Sequence, residues 1–137
     1  MRKYAVLIIL LVLSKWSLAG AAEGEQSIRH LKVDEIESIE VAIKKFYEST
    51  AAIKNKKLLN SSELHEIHVI TYTLEKSIQF FINNLSGESQ VLAENAAIIV
   101  ENIHIASENN RRQSTVENMR EYFQLADQLA LRLGVKE

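Results

Sequence analysis

The chain has no cysteine and no proline, and only four glycines, in 137 residues. Without cysteine there is no disulfide framework, no lipid-modified thiol and no covalent haem attachment through Cys-x-x-Cys-His. Without proline nothing interrupts a helix from within. Gly-x-Ser-x-Gly and the glycine-rich phosphate loop are also missing, so neither nucleophilic catalysis nor nucleotide chemistry has a motif to stand on, and the chain is not expected to be an enzyme. Long apolar runs are scarce too, the exception being Tyr4 to Leu13.

That run follows Arg2 and Lys3 and precedes a small-residue zone at Ser17 to Ala22. A positive n-region, an apolar core and a small-residue cleavage zone predict a secretory signal peptide. The apolar stretch ends at Lys15, short of the roughly 20 residues that span a bilayer. Cleavage is expected after Ala19 or Ala21, giving a signal peptide over 1–21, a mature domain over 22–137, export to an oxidising compartment and no membrane contact once the leader is gone. Loss of Arg2, Lys3 and Lys15 from the 16 basic residues leaves 13 against 18 acidic ones, a formal charge of −5. So acidic a chain is not expected to bind nucleic acid, where affinity depends on neutralising phosphates.

In the mature region apolar residues recur at steps of three and four, the amphipathic helix pattern, in four successive segments. The first, near 35–55, begins at Asp34 with Glu37 three residues on and carries Ile36, Ile39, Ile43, Phe46, Thr50 and Ile53. The second, near 62–85, is capped by Ser61 or Ser62 and runs Leu64, Ile67, Thr71, Leu74, Ile78, Phe81 and Leu85, with Gly87 as its stop. In the third, near 89–109, the stripe is Leu92, Ala96, Ile99, Ile103 and Ala106, widened by Val91, Ile98 and Ile105. The fourth, near 115–133, opens on Ser114 and Glu117 as a capping box and carries Val116, Met119, Phe123, Ala126, Ala130 and Leu133. Short polar loops between such helices predict an all-α, antiparallel up-down-up-down four-helix bundle.

The residues that could carry chemistry are histidines with Glu and Tyr neighbours. His65, His68, Tyr72 and Glu75 form one polar strip along the second helix, with His68 about 100° from the centre of its apolar stripe. Glu101, His104 and Glu108 share a side of the third. In a hairpin turning near Gly87, residues whose numbers sum to about 174 lie level, which puts His68 and His104 in one layer. Two readings follow. Either His65, His68, His104 and a carboxylate such as Glu75 bind zinc or copper(II), or these are boundary histidines satisfied by hydrogen bonds. A di-iron site needs a second Glu-x-x-His, which is missing. Non-covalent haem on His68 with His104 or Met119 is a more distant reading. Lys54, Lys56, Lys57, Arg111 and Arg112 gather at one end, as helix-dipole compensation or an anion site. Val69 and Phe80, on the polar side of the second helix, hint at a homodimer or another periplasmic protein partner.

Glu66-Ile-His68-Val-Ile-Thr71-Tyr72-Thr73-Leu74-Glu75 and Glu101-Asn-Ile-His104-Ile-Ala106-Ser107-Glu108 resemble motifs of a family of small, exported, functionally uncharacterised proteins of Gram-negative bacteria. The resemblance implies a periplasmic helical protein in which His68, Thr71, Tyr72, Glu75, His104 and Ser107 belong to the family's motif, and it favours a polar layer shared by the second and third helices over a His65-x-x-His68 pair. It implies no activity. The expected role is a binding or accessory bundle taking a metal or small ligand between the second and third helices, with a ligand-free structural or interaction module as the alternative.

Overall fold

The computed structural model describes residues 33 and 35–134. The expected signal peptide over 1–21, the start of the mature domain and the Asp34 cap lie outside the described residues. All secondary structure described is helical: α1 (Ile39–Lys54), α2 (Ser61–Asn84), α3 (Gly87–Glu108) and α4 (Arg112–Arg132). None of these is long and apolar enough to cross a membrane.

The helix ends show which local signals prevailed. α1 starts four residues later than its pattern suggests, because the Ser38 side chain accepts from the Val41 amide at 3.3 Å. For α2 the cap is Asn60, whose Oδ1 accepts from the Glu63 amide at 3.0 Å. Glu63 in turn reaches back to the amides of Leu58 and Leu59, at 2.8 and 2.7 Å. The cap is thus Asn60 and not Ser61 or Ser62, with Glu63 reaching past it to the amides of the preceding loop, a variant of the capping box. Gly87, with φ +61°, opens α3 instead of capping α2.

Between α3 and α4 the amide of Arg111 donates to the Ala106 carbonyl at 2.8 Å, and that of Asn110 to Ser107 at 3.0 Å. Asn110 takes the left-handed conformation, φ +55°, so the turn is a Schellman motif built on asparagine. So tight a turn lets α4 begin at Arg112, which leaves Ser114 inside the helix and not at its cap.

α2 packs against both α1 and α3, and α4 packs against α3. Contacts pair early residues of one helix with late residues of the next: Asn110 with Ser61, Gln90 with Ile82, Arg132 with Glu88. The core is filled by Phe46 and Ile53 of α1, by Leu64, Ile67, Leu74, Ile78 and Phe81 of α2, by Ala96, Val100 and Ile103 of α3, and by Met119, Tyr122 and Leu129 of α4. Phe46 and Phe81 meet edge to face at 5.6 Å, a geometry worth about 0.5–1.5 kcal/mol beyond burial. α1 is tied to α4 by a 2.6 Å hydrogen bond between Thr50 and the buried hydroxyl of Tyr122.

Two expectations about surfaces need revision. Val91, Ile98 and Ile105 do not widen the core face of α3; they are 52, 61 and 42% exposed, since Ala93, Val100 and Ser107 occupy the positions that turn inward. Phe80 is half-buried and packs against the core, so it does not stand on the polar side of α2. In the basic cluster, Lys57 donates to the Lys54 carbonyl at 2.9 Å, in keeping with compensation of the helix dipole at the end of α1, while Lys56 pairs with Glu66 and Lys54 lies over the Phe123 ring at 5.9 Å.

Candidate functional site

The α2–α3 seam buries apolar side chains along most of its length, but at one level it holds polar groups from both helices. His68 is 3% exposed, and Thr71 and Ser107 are fully buried beside it. Each histidine is followed, three residues on, by a hydroxyl that donates back to its main-chain carbonyl: Thr71 to His68 at 2.6 Å and Ser107 to His104 at 3.0 Å. Internal satisfaction of this kind lets small hydroxyls sit in an apolar seam at little cost.

The two imidazoles share the layer that the hairpin register predicts. Their ring centroids are 4.6 Å apart, and the Tyr72 ring stands edge-on to both, at 5.2 Å from His68 and 4.8 Å from His104. The Tyr72 hydroxyl lies 3.4 Å from His68 Nε2, a long hydrogen bond.

The network sets the tautomer of His104. Thr71 has one hydroxyl proton, and it goes to the His68 carbonyl. Toward His104 Nδ1, 3.0 Å away, the same oxygen must therefore accept, so Nδ1 carries the proton. Glu75 Oε1 approaches that nitrogen at 2.9 Å, in ion-pair contact but off the line of a hydrogen bond. With Nδ1 protonated, the lone pair of the neutral ring resides on Nε2. A carboxylate behind an imidazole is the usual support of a metal-ligating histidine.

Two atoms of the layer remain without hydrogen-bond partners: His68 Nδ1 and Glu75 Oε1 are both buried and unsatisfied. Burial, together with the neighbouring His104 ring, holds the His68 pKa below its ordinary value of 6.5; Glu108 and the His104 main chain act weakly the other way. Burial lifts the Glu75 carboxyl above its ordinary 4.5 against the pull of His104. The Tyr72 hydroxyl is raised by burial, then by Glu108 and Glu75. His68 is accordingly a neutral ring at neutral pH.

Among the described residues one group of three can offer metal-ligating atoms within 4.8 Å of one another: His68, His104 and Glu108. The site expected from the sequence is thus brought together in part. His68 and His104 meet; Thr71, Tyr72 and Ser107 belong to the same layer; Glu75 stands behind His104 and is not a member of the triad. His65 is exposed, its ring 6.2 Å from that of His68, and is not a member either. The carboxylate that joins the pair is Glu108, legible in the sequence as the residue one helical turn beyond His104 on the same face.

No curated protein and no solved structure matches the chain. One family model, described as a family of unknown function (DUF6746), matches residues 1–131. With nearly the whole chain covered, the protein belongs to this uncharacterised family.

Proposed function

We propose that this protein is a non-catalytic periplasmic accessory bundle, antiparallel and up-down-up-down, that binds a divalent transition metal between α2 and α3. The ligands are His68, His104 and Glu108, with Glu75 orienting His104 from behind. Export is supported by the n-region, apolar core and small-residue zone at the N-terminus. The antiparallel order is supported by contacts that pair the start of α2 with the end of α3, and the start of α3 with the ends of α2 and α4.

The single observation that carries the metal reading is the buried His68 Nδ1 without a partner, inside a group whose other members are a second imidazole and a carboxylate. A buried unsatisfied nitrogen costs about 1–3 kcal/mol, and burial there keeps the ring neutral and able to ligate. Two imidazoles and one carboxylate suit zinc or copper(II), and three protein ligands leave a position open for water or a small ligand. Ligands on a tetrahedral ion with bonds of about 2.1 Å lie about 3.4 Å apart. The ligating atoms here are within 4.8 Å, and closing the difference falls to Glu108, whose exposed side chain is free to turn.

The test is titration of chelator-treated protein with zinc and with copper(II) by calorimetry, beside His68→Ala, His104→Ala and Glu108→Gln, with each fold checked by circular dichroism. Stoichiometric binding by the wild type, lost in both histidine variants and weakened in Glu108→Gln, is the expected result. Absence of binding at micromolar metal would overturn the reading and leave a polar layer whose only role is structural.

A further inference from the structure

The outward face of α3 carries a sequence repeat that the fold does not use. Val91-x-x-Glu94-Asn95, Ile98-x-x-Glu101-Asn102 and Ile105-x-x-Glu108-Asn109 recur at seven-residue intervals, and every named residue is exposed. Seven residues fall about 20° short of two full turns, so each set forms a nearly straight row with a rise of about 10.5 Å per repeat. An apolar row therefore runs along the helix between a row of glutamates and a row of asparagines. The inward residues of the same heptads do not repeat: Leu92 and Ala93 are followed by Ile99 and Val100, then Ala106 and Ser107. Core packing explains the second set and not the first.

We propose that this face docks a basic amphipathic helix of another protein, one that lays an apolar row along Val91, Ile98 and Ile105 and sets Lys or Arg against Glu94 and Glu101. Charge identifies the occupant. α3 contains no Lys or Arg, and neither Glu94 nor Glu101 pairs with a cation among the described residues. Three isolated apolar side chains offer little area, so flanking charge has to supply register and specificity. A second copy of the chain fits poorly: an antiparallel α3 pair opposes glutamate to glutamate, and a parallel pair opposes glutamate to asparagine and leaves every carboxylate without a cation. The inference is independent of metal binding, and its test leaves Glu108 untouched.

The experiment measures fluorescence anisotropy of a labelled 21-residue helical peptide with Leu at every seventh position flanked by Lys, against the same peptide with Glu for Lys. It is read on the wild type, on Ile98→Asp and on Glu94→Lys/Glu101→Lys, with sedimentation of the protein alone. Because the altered side chains are exposed, the variants keep the wild-type helix content. The Lys peptide is expected to bind the wild type, to weaken at least about tenfold with each variant, and to weaken with added salt; the Glu peptide is expected not to bind. Ile98→Asp makes the surface more acidic, so its loss of binding separates docking from unspecific charge attraction. Equal binding to all three proteins, or no binding to the wild type, overturns the proposal. So does a dimer that Ile98→Asp dissociates, which would make the occupant a second copy.

Discussion

Glu75 of α2 and His104 of α3 meet at 2.9 Å across the seam, with the hydroxyl of Thr71 3.0 Å from the same imidazole nitrogen. The Thr71 hydroxyl accepts the Nδ1 proton, and the Glu75 carboxylate places its charge beside it. Glu75→Ala removes that charge and leaves the ring freer to turn. Metal affinity is expected to fall about 10–100-fold, as for other carboxylates behind a ligating histidine, with stoichiometry unchanged. Competition against a chromophoric chelator measures it; unchanged affinity would place Glu75 outside the site's function.

Acid stability of the metal-free protein should carry the signature of His68. Its folded pKa is below 6.5 because the ring is buried. Well above 6.5 the ring is neutral folded and unfolded and contributes nothing. As pH falls through 6.5 the unfolded chain takes up a proton that the folded ring does not, so stability declines until the lowered folded value is reached. Glu75 acts in the opposite sense. Its folded pKa is raised above 4.5, so its cost appears as pH rises past 4.5 and is complete at the folded value. Urea midpoints between about pH 4 and pH 8 are expected to show a loss on acidification below 6.5 that His68→Gln flattens.

Neighbouring isoleucines of α3 should respond to truncation in opposite ways. Ile103 is fully buried and Ile98 is 61% exposed. Ile103→Ala is expected to cost about 2–5 kcal/mol through lost burial and the cavity left behind. Ile98→Ala should stay within about 0.5 kcal/mol of the wild type. Denaturant unfolding of the two variants checks the assignment of the two faces.

Asn60 and Glu63 together close the start of α2, with the Glu63 carboxylate accepting from two amides of the preceding loop. Asn60→Ala should destabilise by about 1 kcal/mol. Ser62→Ala, which removes a residue named as a cap on sequence grounds, should have little effect. The reverse order in thermal unfolding would show that the helix begins at the serines.

Much of the fold was legible because helical periodicity is a local property. The second-helix heptad from Leu64 to Phe81 and the third-helix stripe from Leu92 to Ala106 are buried as their spacing indicates. On α4 Met119 and Ala126 are buried as their spacing indicates, while Thr115, Tyr122 and Leu129 take the inward positions beside Val116, Phe123 and Ala130, because a tyrosine that hydrogen-bonds Thr50 belongs to the core as much as a phenylalanine does. Cap residues were the weakest reading. Asn, Ser and Asp are interchangeable as local signals, and the loop geometry at Leu59, with φ +48°, selected Asn60.

The sequence by itself determined that this is a helical chain of four amphipathic segments and that His68 and His104 stand level, because register in a hairpin follows from residue counts and rise per residue. Only the tertiary structure decided that the two rings face one another, that Glu108 joins them while His65 stays in solvent, and that Val91, Ile98 and Ile105 turn outward. Those outcomes depend on how each helix is rotated about its own axis. That rotation is set by the summed packing against the neighbouring helices, and no single segment contains it.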